Sequence, residues 1–347
     1  MDAILYYIRK LIKIFRTEIL VLPSRILVMV FIITLAVFPV ILDDPYILHI
    51  LVLTSIFAIL AASWDFLSGF TGQMNFGHAL FFGVGSYTAA FLNLKLGLPP
   101  IATIPLGGCA AVVAGLVIGI PCLRLKGTYL ALTTLAFPII LHGIVLSFPD
   151  ITGGELGLSG LTRLASMSKV VNYYITTGVM LLLCLIMWLI TDSKVGIILH
   201  AIREDEVALR SSGINTTRYK LFAFSLSGLF AGIAGGMYAH YMMNTGPSTL
   251  GVFLSFEIVI WAVFGGIATI YGPVGSVYII VPLLEFFRIW PEFRTLMFAC
   301  LVLVVLLFMP EGLFTWLREK VEKECPRCKI RNIAIRKNCR ICTAELH

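Results

Sequence analysis

Residues 46–66 read YILHILVLTSIFAILAASWDF, an apolar run with one formal charge, at Asp65 near its end. About 20 such residues in a helix cross the hydrocarbon core of a bilayer. The same texture recurs on both sides of this run, at 26–42, 75–92, 101–121, 128–148, 172–191, 221–243, 254–270, 273–288 and 295–310, which makes ten expected spans. Two regions, 75–92 and 254–288, are dense in glycine and carry polar side chains. They read as broken or re-entrant, because irregular backbone is tolerated at membrane depth only inside protein or beside a wet cavity.

Composition points the same way. Of the 347 residues, 59% are hydrophobic and 13% charged, against roughly 25% charged in an average soluble chain. Mean hydropathy is +0.96. Such a chain cannot hide its apolar surface in one aqueous core, which excludes a soluble enzyme, a disordered chain and a secreted disulfide scaffold. Basic residues set the orientation. With the N-terminus in the cytoplasm, 21 of the 26 Lys and Arg fall on that side, leaving Lys95, Arg163, Lys169, Arg288 and Arg294 on the other. The expected fold is an all-α polytopic integral membrane protein with about ten transmembrane segments, N-in and C-in.

Three regions follow. Residues 1–25 form a cytoplasmic interfacial segment, in which ILYYIRKLIKIFR at 4–16 alternates apolar and basic groups at helical spacing. Residues 26–316 form the transmembrane domain, with a cytoplasmic loop at 194–220. Residues 317–347 are a basic tail; from 318 on it holds nine Lys/Arg against four Asp/Glu. The basic pI thus stems largely from the tail and is weak ground for a nucleic-acid partner.

Ionisable groups inside a membrane are functional candidates. Asp65 and Glu285 lie at span ends and are expected to be solvated; Glu257, near the start of a span, stays open between function and structure. The near absence of mid-membrane charge argues against an ion-driven carrier. No G-x-x-x-x-G-K-S/T signature occurs, so the chain itself is expected to bind no ATP. Ser159, in Gly157-Leu158-Ser159-Gly160, is a look-alike of a serine nucleophile without a histidine nearby in sequence. An intramembrane protease is therefore an alternative from another class.

Residues 67–92, LSGFTGQMNFGHALFFGVGSYTAAFL, place Gln73, Asn75 and His78 at the mouth of a glycine-rich segment. In lipid their polar groups would each cost several kcal/mol, so they face a cavity or another helix. Cavity lining is expected for Gln73 and Asn75, and helix-to-helix bonding for His78; on a helix, 75 and 78 would share a face. This stretch, with Trp64 before it, resembles the permeases of branched-chain amino acid (Liv-type) ABC importers. It departs at Asp65, where that family tends to have Asn, and at Asn75, where Ser is usual. The resemblance continues through LRLKGTYLALTT at 123–134, Thr152-Gly153-Gly154 with Gly157-Leu158, SFEIVIWAVFGGIATIYGPVG at 255–275 with Ala268 where Gly is common, and Pro310-Glu311-Gly312-Leu313. It covers about residues 45–315.

Residues 194–220, KVGIILHAIREDEVALRSSGINTTRYK, read as two short amphipathic helices, the second closed by Gly213 as a C′ glycine. A solvated connector is the plain alternative. The resemblance implies a coupling loop that docks in a groove of an ATPase subunit, formed by Ala201, Ile202, Arg203, Glu204, Asp205, Glu206, Ala208, Gly213 and Ile214. Its apolar face is expected to lack cover within the chain. Gly228, Gly232 and Gly236 make a ridge suited to a helix seam, within the subunit or with a second permease.

Of eight cysteines, Cys109, Cys122, Cys184 and Cys300 lie in or beside spans and read as small apolar residues. Cys325, Cys328, Cys339 and Cys342 form a Cys-x2-Cys-x10-Cys-x2-Cys pattern, suited to tetrahedral zinc in a small zinc-ribbon-like tail. A redox dithiol pair is the alternative. For this tail the ATPase, anionic lipid and RNA are open as partners.

The whole therefore reads as the transmembrane permease subunit of an ATP-driven importer, not an enzyme, working by alternating access. The resemblance implies a second related permease, two P-loop ATPase subunits, an extracytoplasmic substrate-binding protein and the surrounding membrane lipid. Branched-chain amino acids are the first expectation for substrate. Urea or another amino acid or amide is the alternative, and a secondary carrier or channel a further one.

Overall fold

The computed structural model describes the chain from Pro23 on, except residues 42–43, 123–124, 126, 166, 290–293, 310, 329–330, 335, 337, 340, 343–344 and 346–347. The amphipathic stretch at 4–16, together with Leu123, Arg124, Lys126 and Pro310, lies outside the described residues. The chain forms two units, Asp43–Gly312 and a second made of the segments before and after it.

The first unit holds α2 (Pro45–Trp64), which runs on through a π turn at Asp65–Gly69, then α3 (Ala79–Leu96), α4 (Pro100–Cys122), α5 (Gly127–Ser147) and α6 (Lys169–Thr191). After these come α7 (Lys194–Ser211), α8 (Thr216–Met242), α9 (Val252–Gly265), α10 (Tyr271–Phe286) and α11 (Arg294–Phe308). In the second unit are α1 (Pro23–Ile41), α12 (Leu313–Val321) and an antiparallel pair in which Glu322–Glu324 runs against Arg331–Ile333. The sequence reading groups 26–42 with the transmembrane domain; in the structure α1 goes with the tail.

Among the described residues six helices are long and apolar enough to cross a membrane: Pro45–Gly69, Ala79–Leu96, Pro100–Cys122, Gly127–Ser147, Lys169–Thr191 and Thr216–Met242. Ten were expected. The difference lies in shorter apolar helices, at Arg25–Ile41, Val252–Gly265 and Tyr271–Phe286, and in the 15-residue α11. The break between α9 and α10 has a local cause. Gly266, Ala268 and Ile270 have φ of 111°, 62° and 51°, and a right-handed helix cannot continue through such residues.

Small residues bring α3, α4 and α8 together. Along the α8 ridge, Gly228 faces Phe81 and Ala111, Gly232 faces Gly107, Gly108 and Ala111, and Gly236 faces Ile104 and Ala89. The ridge is thus a seam within the chain. On the other side of α2, a buried hydroxyl cluster joins three helices: Ser55 Oγ lies 2.7 Å from Tyr278 Oη on α10 and 3.2 Å from Thr177 Oγ1 on α6.

Candidate functional site

The loop between α2 and α3 is not helical at 72–77, so Asn75 and His78 do not share a helix face as expected. Backbone chemistry explains its path. Pro138 inside α5 has no N–H and frees the carbonyl of Thr134. Gly77 lies against that carbonyl, and a methyl carbon there would come within 2.0 Å of the oxygen. Phe76 N–H donates to Thr134 Oγ1 at 3.1 Å, which fixes the loop on α5.

The three polar residues then differ. His78 Nε2 lies 2.8 Å from Ser63 Oγ on α2. Asn75 Oδ1 accepts from Gly77 N–H at 2.8 Å, and its carbonyl accepts from Trp64 Nε1 at 2.6 Å. Asn75 also lines a void of about 10 Å³ with Leu80, Phe81 and Phe224, room for about one water. Gln73 is 4% exposed, yet among the described residues neither Oε1 nor Nε2 has a hydrogen-bond partner.

Asp65 is completely buried rather than solvated. Its Oδ1 accepts from Ala268 N–H at 2.6 Å, and its Oδ2 from Thr269 and Ile270 N–H at 3.0 and 3.1 Å. These are the amides that the α9–α10 break leaves without helical partners, and the carboxylate satisfies all three. Sequence reading missed this, because the partners lie some 200 positions downstream. Gly69 closes the arrangement. A methyl carbon there would sit 2.0 Å from Asp65 Oδ1 and 2.7 Å from Ala268 N. Glu285, also expected to be solvated, is partly shielded and accepts from Tyr46 Oη at 2.7 Å and Arg288 Nη1 at 2.8 Å. Glu257 is half-buried on α9.

Helix α7 is bent at Asp205, whose φ of −151° and ψ of 97° are not helical. The bend makes the two short helices that the sequence suggests. Asp205 Oδ1 caps the second, accepting from Val207 and Ala208 N–H at 2.9 and 3.0 Å, and Gly213 follows it with φ of 83°. The first half is anchored to the end of α2: Arg203 Nη1 donates to the Gly69 carbonyl at 2.7 Å, and His200 stacks edge-on against Phe70 at 4.9 Å. The second half is anchored to α8. Glu206 accepts from Arg210 at 2.5 Å, Thr216 at 3.1 Å and Lys220 at 2.8 Å. Burial pushes the Glu206 carboxyl up, but the bonds and charges of Lys220, Thr216 and Arg210 outweigh it and hold its pKa below the usual carboxylate range.

The chain covers part of the apolar face of α7 itself, since Leu199 and Ile202 are buried. Ile197 and Val207 remain 67% and 68% exposed. Ala201 is half-buried; Arg203, Glu204, Asp205, Ala208 and Gly213 are exposed, and Ile214 is half-buried.

At the other end of this unit lies an open cavity of about 390 Å³ that sequence reading did not single out. Its lining mixes apolar side chains, among them Leu146, Leu156 and Met242, with polar ones, among them His142, Glu155 and Asn244. Ser159 stands nearby in a two-residue strand paired with Asn244–Thr245.

In the second unit, the Sγ atoms of Cys325, Cys328, Cys339 and Cys342 all lie within 4.8 Å of one another. The pairs Cys325–Cys342 and Cys328–Cys339 are each 3.4 Å apart. A tetrahedron with 2.3 Å metal–sulfur bonds has edges of about 3.8 Å, so the four thiols fit around one ion. The N–H groups of Cys342 and Ile341 aim at Cys339 and pull its thiol down to about 6, which favours the thiolate that ligates metal.

Comparison with known proteins bears on this architecture. Residues 46–310 match the family described as branched-chain amino acid transport system / permease component. The high-affinity branched-chain amino acid transport system permease protein LivM of Salmonella typhimurium is 29% identical, with 80% of this chain and 72% of that protein covered. Its namesake in Escherichia coli is 28% identical over 81% of this chain and 71% of its own length. A probable branched-chain amino acid transport permease protein LivH of Methanocaldococcus jannaschii is 28% identical over 60% and 70%. No solved structure matches. With the family match spanning most of the chain and six membrane-capable helices in place, this is a multi-pass membrane protein that belongs to the branched-chain amino acid permease family.

Proposed function

We propose that the chain is one half of the pore of an ATP-driven importer for branched-chain amino acids. A second related permease completes the pore, two P-loop ATPase subunits drive it, and an extracytoplasmic binding protein delivers substrate. The observation that carries this reading is α7. It is a bent, capped helix pair with exposed Ile197 and Val207, and its two halves are held by different parts of the helical unit. An exposed apolar residue on each half suits insertion into a groove on a partner. The distribution of basic residues supports a cytoplasmic side for α7 and for both termini, where the ATPase subunits work.

The 390 Å³ cavity then opens on the outer side and receives substrate. Its volume falls in the range of small-molecule sites. A lining of apolar and polar side chains together suits a small zwitterion with an aliphatic side chain. Gln73 is the polar group of the 72–78 loop whose hydrogen-bonding capacity is not consumed by structure, and it contacts substrate further along the path. Zinc is the ion proposed for the four tail cysteines, because thiolates in a tetrahedral set favour it. Uptake by whole cells tests the reading. Loss of this chain should abolish high-affinity uptake of leucine, isoleucine and valine while sparing urea. The reverse pattern would move the substrate assignment to an amide.

A further inference from the structure

The α9–α10 break and the first half of α7 meet at a single turn of backbone. Asp65 opens the π turn at the end of α2 and Gly69 closes it. Phe70 N–H bonds back to the Asp65 carbonyl, the wide step of a π turn. The Gly69 carbonyl accepts from the Arg203 guanidinium at 2.7 Å. On its other side Gly69 touches the break itself, so closely that no Cβ fits between it, Asp65 Oδ1 and Ala268 N. The break is strained: Ala268 and Ile270 hold positive φ without being glycine, and such backbone persists only where its surroundings over-determine it. Here the surroundings are the Asp65 carboxylate with its three N–H bonds.

We propose that Arg203 and Asp65 are positioning residues of a relay. Arg203 fixes the Gly69 turn, the turn fixes the Asp65 carboxylate, and the carboxylate holds the start of α10. A shift of α7 toward or away from α2 is thereby passed to a half-length helix inside the bundle, which is also tied through Tyr278 and Ser55 to the centre of α2. The inference rests on α7 being the ATPase-facing element. It adds where the movement goes after α7, which neither exposure nor charge on α7 specifies. Glu206 belongs to the other half of α7 and stands outside the relay.

The test begins on the full chain alone, in nanodiscs, by hydrogen exchange at residues 268–270. Arg203→Gln should speed exchange there about tenfold, as local opening of a break that has lost its anchor. Arg203→Lys, which keeps one donor, should restore part of the protection, and Arg218→Gln, at the start of α8, should change nothing. In the assembled importer, Arg203→Gln should lower substrate moved per ATP hydrolysed while hydrolysis continues. Unchanged exchange at 268–270 in Arg203→Gln would overturn the relay. So would hydrolysis and uptake falling together, which would make Arg203 a docking residue and leave the reading of α7 as the ATPase contact standing.

Discussion

Gln73 and Asn75 sit two positions apart in the same loop, yet among the described residues only Asn75 of the two finds side-chain hydrogen-bond partners. A buried amide left unpaired costs roughly 1–3 kcal/mol. Replacing Gln73 by Leu should therefore leave the purified chain as stable as before, or about 1 kcal/mol more stable, in denaturant or thermal unfolding. The same variant should change the ranking of leucine, isoleucine and valine in uptake. Equal ranking with a clear loss of stability would return Gln73 to a packing role. Gly69→Ala is the opposite case. Its methyl carbon lands on Asp65 Oδ1, and overpacking of this kind costs about 1–3 kcal/mol, so thermal stability should fall even though alanine is the better helix former. Much of this was hidden in the sequence. The glycine-rich run shows that polar groups enter the bilayer there, but the groups that satisfy them come from elsewhere. His78 is satisfied by Ser63, fifteen residues earlier, and Asp65 by amides more than two hundred residues later.

At the scale of elements, the 194–220 block was readable because its signals are local: Gly213 as a stop, and apolar positions at helical spacing; the Asp205 cap emerged only in the structure. Its anchors were not, since Gly69 and Phe70 are over a hundred residues away and carry no periodic mark. The Glu206 cluster has a pH consequence. Its carboxyl pKa is lowered in the folded chain, so its contribution to stability is present above the ordinary glutamate value near 4.3 and is lost as pH falls through the lowered folded value. Hydrogen exchange at 206–220 should therefore be flat from pH 8 to pH 5, after correction for intrinsic rates, and quicken in more acidic solution. Glu206→Gln should remove that acid step, whereas an acid step of the same size in the variant would assign it to other carboxylates. The short helices α9 and α10 follow the same rule as α7. The glycine-dense stretch 254–288 suggested a broken pair of spans; its positive-φ residues break the helix locally, and a chain-distant carboxylate satisfies the amides that the break exposes.

Taken whole, the molecule is a helical permease unit followed by a cysteine-bearing tail. The tail should bind one zinc per chain by mass spectrometry of the full protein, and the pair Cys325→Ser with Cys328→Ser should abolish it; a metal-free, oxidised tail would favour the dithiol alternative. Orientation is testable separately. Ser211→Cys, on the exposed second half of α7, should resist an impermeant thiol reagent added outside intact cells and react once the membrane is opened. On the proposed function, this chain carries substrate only as part of an ATP-driven machine. The most direct measurement is uptake of radiolabelled leucine into vesicles reconstituted with this permease, its partner permease, the ATPase subunits and the binding protein. Leucine should accumulate only with ATP within reach of the ATPase subunits, and accumulation should stop when those subunits are omitted. Equal uptake without ATP, or uptake that follows a sodium or proton gradient instead, would contradict it.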